Sequence, residues 1–178
     1  MPRKPDPALE SSILRSSIRL LDKHGLPAIT MRHVARVSGT TTPTLYERFR
    51  DRDALLMGML DRISADLRVR IREARSVKAI GDVFLSYCVE YPNRLDLLHH
   101  VWPSTFSNGR RPTYQITTDR LKDLHGYNAH KAQEIASAIM ALLIGTAVIM
   151  LGAGPRTEYA RKCRRTGLRA VEALAKGI

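Results

Sequence analysis

The sequence has little of what staples or catalyses. It holds 2 cysteines, Cys88 and Cys163, with no C-x-x-C pair between them. That excludes a disulfide framework and the usual zinc spacing, and both residues are expected as buried thiols. There is no G-x-S-x-G, no phosphate-cradling glycine loop and no His-x-x-x-His; His99 and His100 are adjacent, so on a helix their rings diverge. No Cys-His or paired-carboxylate grouping stands out from the surface charge. An enzyme is not expected, nor is a metal or a cofactor. The 9 prolines and 11 glycines are scattered without a fixed period, which excludes collagen-like, solenoid and linker-dominated chains.

What is present is enough for a core: 178 residues, 44% of them apolar, make one or two small domains. Charge is the unusual feature. Lys and Arg number 29 against 17 Asp and Glu, a net +12. Residues 1–53 carry 10 basic and 6 acidic groups and residues 155–178 carry 7 and 2, so the two ends hold +9 of the total. Such an excess suits a polyanion, because each phosphate neutralised by Lys or Arg releases condensed counterions. The basic N-terminus, Met1 to Pro5, is not followed by an apolar run, so no secretory signal is read and a cytoplasmic protein is expected.

Residues 135–155 carry no charge over 21 positions, long enough to cross a bilayer. Ala and Gly are frequent in the run, Ser137 and Thr146 interrupt it, and the rest of the chain is patterned for water. The expectation is therefore no membrane span but a helix buried on nearly all sides, partly against a second subunit.

Apolar spacing is helical almost throughout, and no alternating strand is found. Asp6 and Pro7 are placed to open a first helix that ends at Gly25. Thr30 caps a second helix from Met31, with Ile29 and Val34 spaced as a hydrophobic staple, and Ser38 with Gly39 stops it after two turns. A third runs from Thr41 or Thr42 to about Phe49. Asp51 caps a long fourth. Further helices are expected over about 77–91, 92–102, 113–125, 129–151 and 156–175, with loops at Pro103 and at residues 108–112. In the last helix Ala160, Cys163, Gly167, Val171 and Leu174 form a stripe small enough for another helix to approach closely.

Two short helices joined at Ser38, Gly39 and Thr40 fit a helix-turn-helix. In such a unit the second helix enters the major groove, where each base pair shows a distinct pattern. Here that helix opens with Thr41, Thr42, Pro43 and Thr44, hydroxyls around a compact apolar ring, while Leu45 and Phe49 anchor it inward.

The run Ile29 to Ala35, then Thr44, Leu45, Tyr46, Glu47, Arg48, Phe49, then Asp51 to Leu56, resembles the N-terminal domain of TetR-type (tetracycline-repressor-like) regulators. The resemblance covers about residues 8–56. It implies an all-α chain: a helix-turn-helix DNA-binding domain over 1–52 and a helical ligand-binding and dimerisation domain over 53–178. It also implies phosphate contacts from Thr30, Thr44, Tyr46 and Arg48, with Arg32 on a phosphate or on guanine O6 and N7. Thr42 and Pro43 would stand at the base-reading positions, and Arg52 where the family usually has Lys. Pro43 replaces a frequent Gly and so lacks one backbone donor. Glu47 either accepts from a cytosine amine or points away.

The function implied is a homodimeric repressor of a palindromic double-stranded operator, paired through helices about 129–151 and 156–175 and released by a small-molecule effector. The alternative is a helical protein-interaction module without specific DNA binding. Aromatics and histidines concentrate over residues 77–151, and Tyr87, Tyr91, His99, Trp102 and Met140 are the candidate effector contacts.

Overall fold

The computed structural model describes residues 7–107 and 112–177, with side chains described for 7–101 and 114–177. The described residues are all-α: α1 (Pro7–His24), a 3-10 turn (Leu26–Ala28), α2 (Met31–Val37), α3 (Thr42–Arg48), α4 (Arg52–Ile71), α5 (Val77–Glu90), α6 (Pro92–Ser107), α7 (Pro112–His125), α8 (Ala129–Gly152) and α9 (Glu158–Ala175). The cap expected at Asp6 and the loop residues 108–111 lie outside the described residues.

The chain forms two compact units, one from Met1–Ile63 with Tyr91–Asn108 and the other from Ser64–Glu90 with Gly109–Ile178. The boundary expected between residues 52 and 53 falls inside the first of these units. The long α4 contributes to both units, and α6 packs on α1 and the 3-10 turn.

In the first unit α1 packs on α2 and α2 on α3. Ile13, Leu21, Ile29, Val34 and Leu45 are fully enclosed, each burial contributing roughly 1.5–3 kcal/mol. Gly58 on α4 leaves room for Leu14 and Phe49: a Cβ there would stand 3.2 Å from Leu14 Cδ2 and 3.3 Å from Phe49 Cε1. The 3-10 turn was not foreseen; Pro27, with its fixed φ, lies within it. Neither was the reach of α6, which continues past Pro103 to Ser107. A proline removes one backbone donor and kinks or breaks a helix, and here the helix continues.

In the second unit α8 packs on α9, α7 and α5, and α5 also packs on α9. Gly81 on α5 admits Leu143 of α8 and Leu168 of α9, which stand 3.1 and 3.2 Å from where its Cβ would be. The small-residue stripe of α9 is used inside the chain. Ala160, Gly167 and Val171 are buried, and Thr146 of α8 fills the space at Gly167. Cys88 is buried, but Cys163, expected to be so, is only half-buried.

Helix α8 is long and apolar enough to cross a membrane, yet only a third of its most apolar window is buried. Within one chain a single face of α8 is buried, and the part of the expected burial assigned to a second subunit concerns the other face. Ala132, Ala136, Ile139, Leu143, Ala147 and Met150 turn inward, whereas Ala138, Ala141, Gly145, Val148, Ile149 and Gly152 are exposed at helical spacing. Outward on α9 stand Lys162, Arg165 and Arg169, while Arg164 is bound to Asp82 at 2.7 and 2.9 Å.

Candidate nucleic-acid interface

The turn between α2 and α3 is fixed by the backbone. Gly39 adopts φ 67°, the left-handed conformation that glycine takes without a steric penalty. The Thr40 amide donates to Ala35 O at 3.0 Å and the Gly39 amide to Arg36 O at 3.4 Å, which together close α2 in a Schellman motif. Ser38 Oγ adds a bond to Val34 O at 2.7 Å. With α2 ended there, α3 starts at Thr42, three residues after Gly39.

Both helices begin on threonine. Thr30 is the N-cap of α2, its hydroxyl accepting from the His33 amide at 3.2 Å, and it is exposed. Thr41 is the N-cap of α3, accepting from the Thr44 amide at 3.3 Å and sharing a 2.9 Å hydrogen bond with the Thr44 hydroxyl. Such caps satisfy amides that have no partner within the helix. The Thr30 reading as a cap is thus met, and the start assigned to Thr41 or Thr42 falls with Thr41 as cap and Thr42 as first helical residue.

Around the start of α3, Thr41 and Pro43 are exposed and Thr42 and Thr44 are half-buried. Tyr46 is 50% exposed, although it sits next to Leu45, which is fully buried. Leu45 and Phe49, at i and i+4, hold the helix to the core and leave the threonines and the phenol outward. Arg32 is exposed on α2, and Glu47 is exposed on α3. Arg48 is half-buried; its Nη1 is shielded from solvent and has no hydrogen-bond partner.

Arg52 has a different environment from the other eight residues. Its Nε donates to Ile29 O at 2.7 Å and its Nη2 to Leu26 O at 3.4 Å, while Nη1 lies 3.3 Å from His100 Nε2. The guanidinium braces the segment leading into Thr30. Nothing in local spacing signals this, since the carbonyls it meets lie 23 and 26 residues upstream. Asp51 caps α4 as expected, with Oδ1 accepting from the Ala54 amide at 2.8 Å. That bond and neighbouring Arg50 hold its carboxyl below the ordinary 3.8.

The five candidate effector contacts divide between the units. Tyr87 and Met140 are buried in the second, on α5 and α8, with the Tyr87 hydroxyl donating to Asp66 Oδ2 at 3.2 Å. Tyr91 and His99 belong to the first: His99 is exposed, and the Tyr91 ring is covered by the Arg94 guanidinium at 3.6 Å. Trp102 falls on α6 in the stretch whose side chains lie outside the described residues. Among the described residues no group of His, Cys, Asp and Glu is arranged to hold a metal.

Residues 13–58 match the family of bacterial regulatory proteins, tetR family. No curated protein matches the chain. Solved structures do. A tetR-family transcriptional regulator from Streptomyces coelicolor superposes with a TM-score of 0.70 at 16% identity, over 97% of this chain and 84% of its own. A TetR variant from Acinetobacter baumannii AYE in complex with minocycline gives 0.69 at 15%, over 98% and 96%. The multidrug binding protein EbrR complexed with imidazole gives 0.67 at 18%, over 98% and 93%. Residues 13–58 are thus similar to the tetR family, and the described residues share the fold of solved tetR-family transcriptional regulators.

Proposed function

We propose that the protein is a homodimeric transcriptional repressor that binds a palindromic double-stranded DNA operator and leaves it when a small molecule binds. One observation carries the reading: the start of α3 offers Thr41, Thr42, Pro43 and Thr44 beside an exposed Tyr46, on a helix whose other side is locked down by Leu45 and Phe49. That arrangement can enter a major groove at a fixed depth. Thr42 and Pro43 read base edges, the pyrrolidine ring meeting a thymine methyl. Thr30, Thr44, Tyr46 and Arg48 hold the phosphates on either side, and Arg32 meets a phosphate or guanine O6 and N7. Thr41 caps the reading helix, and the +12 net charge supplies the long-range attraction. Arg52 acts one step behind them, by fixing the segment before Thr30.

Two copies pair through α8 and α9, with the exposed apolar face of α8 from Ala138 to Gly152 at the centre of the seam. Their two α3 helices then reach successive major grooves about 34 Å apart. The effector enters the helical unit that holds α5 and α8, and Tyr87 and Met140 are its candidate contacts there. The bound minocycline and imidazole of two related folds support a small-molecule effector. The protein acts in the cytoplasm, without a membrane. A mobility shift on the DNA beside its own gene, at two salt concentrations, tests the reading. A repressor of this kind selects one inverted repeat and loses affinity steeply with salt, whereas unselective, weak retardation contradicts it.

A further inference from the structure

We infer that Asn93 and Arg94 of α6 are positioning residues of the DNA-reading unit, lying 35 or more residues beyond the segment that matches the regulatory family. The inference rests on the proposed DNA reading and adds to it the residues that set its geometry.

The C-terminal end of a helix leaves carbonyls without partners. At the end of α1, Asn93 Nδ2 donates to Asp22 O at 3.0 Å and to Leu21 O at 3.1 Å, the latter also accepting from the Gly25 amide at 2.8 Å. The next residue of α6 takes the Asp22 side chain: Arg94 Nε donates to Oδ1 and Nη2 to Oδ2, each at 2.8 Å. This is the two-pronged geometry that lysine does not reproduce. Arg94 is 11% exposed and Asp22 25%, so solvent screens the pair little. Tyr91 backs the guanidinium from its other face at 3.6 Å. Farther along α6, His100 meets Arg52, which holds Leu26 O and Ile29 O.

The bonds from Asn93, Arg94 and Arg52 all end on the short path from Leu21 to Ile29, and His100 reaches it through Arg52. That path sets where Thr30, the start of α2, and the α2–α3 turn stand on α1. The bonds that Asn93 and Arg94 make to α1 end on none of the candidate DNA contacts, yet they fix the frame that carries those contacts. Compactness agrees, since Tyr91–Asn108 clusters with Met1–Ile63.

The test uses the full-length protein and two duplexes, the DNA beside its own gene and a scrambled fragment of equal length. Asn93→Ala, Arg94→Asp, Asp22→Arg and the exchanged pair Asp22→Arg/Arg94→Asp are titrated on both, and the fold of each is followed by circular dichroism. The expected result for each of the two charge reversals is a loss of about tenfold or more on the selected duplex and less on the scrambled one, because the basic surface is kept. Asn93→Ala loses less in the same direction, and the exchanged pair recovers most of the loss. A role in fold stability alone would lower the melting temperature and leave the affinity and selectivity of the folded fraction unchanged; that outcome, or an exchanged pair no better than either single reversal, overturns the inference. A wild-type protein that fails to select between the duplexes overturns the DNA reading itself, and the inference with it.

Discussion

Gly167 of α9 faces Thr146 of α8 so closely that a Cβ added to the glycine would lie 2.8 Å from the threonine hydroxyl oxygen and 3.0 Å from its methyl. No methyl group fits there unless Thr146 gives way, and its hydroxyl is held by Leu142 O at 2.8 Å. Gly167→Ala is expected to destabilise the fold by about 1–3 kcal/mol, read as a drop in melting temperature. Adding Thr146→Ala removes both crowding atoms and should return much of the loss. A double variant no more stable than Gly167→Ala contradicts this packing.

At Gly39 the constraint is conformational only, since nothing lies within 4 Å of a Cβ there. Gly39→Ala should cost about 1–2 kcal/mol, the penalty of left-handed backbone for a residue with a side chain. Thermal unfolding measures it. An unchanged melting temperature means that the turn rearranges.

Gly145 gives the cleanest probe of the proposed dimer. It stands on the exposed face of α8 with open space around it, so a side chain there meets nothing within its own chain. Gly145→Asp should leave helicity intact and convert dimer to monomer in sedimentation. A dimer that persists at the wild-type dissociation constant places the seam elsewhere.

Arg48 separates stability from binding. Its Nη1 is shielded without a partner, and an unpaired buried donor costs free energy in the folded state. Arg48→Met should therefore leave the melting temperature equal or higher while weakening binding to all duplex DNA. A lower melting temperature together with unchanged DNA affinity would show that the guanidinium serves the fold.

Burial raises the Cys88 thiol from 9.0 to about 12. The unfolded chain releases this proton near pH 9 and the folded chain holds it, so the native state binds more protons between these values and stability falls as pH rises through them. Cys88→Ala should flatten that alkaline loss in urea titrations at pH 8 and pH 10. A parallel decline in the variant assigns the loss to other groups.

The local signals of the reading head were legible in the sequence because they act within a few residues. Thr30, Thr41 and Asp51 cap, Gly39 turns, and Leu45 and Phe49 alternate with the polar start of α3. What was not legible depends on partners far along the chain. Arg52 stands where the resembled family usually has Lys, but the carbonyls it braces are 23 and 26 residues away. The α9 stripe looked like an oligomer seam because small residues permit close approach by any helix, and it is α8 of the same chain that approaches. Asn93 and Arg94 carry no periodic signal at all, since what they hold lies 71 and 72 residues upstream.

The outward start of α3 as a reader of base edges is tested most directly by titrating the wild-type protein, Thr42→Ala and Tyr46→Ala on the DNA beside its own gene and on a panel of single-base variants. The wild type should select one inverted repeat, Tyr46→Ala should bind every duplex more weakly in proportion, and Thr42→Ala should change which base is preferred, by about 1–3 kcal/mol at one position. Equal binding of all duplexes by the wild type, or a uniform loss for Thr42→Ala like that of Tyr46→Ala, contradicts the account.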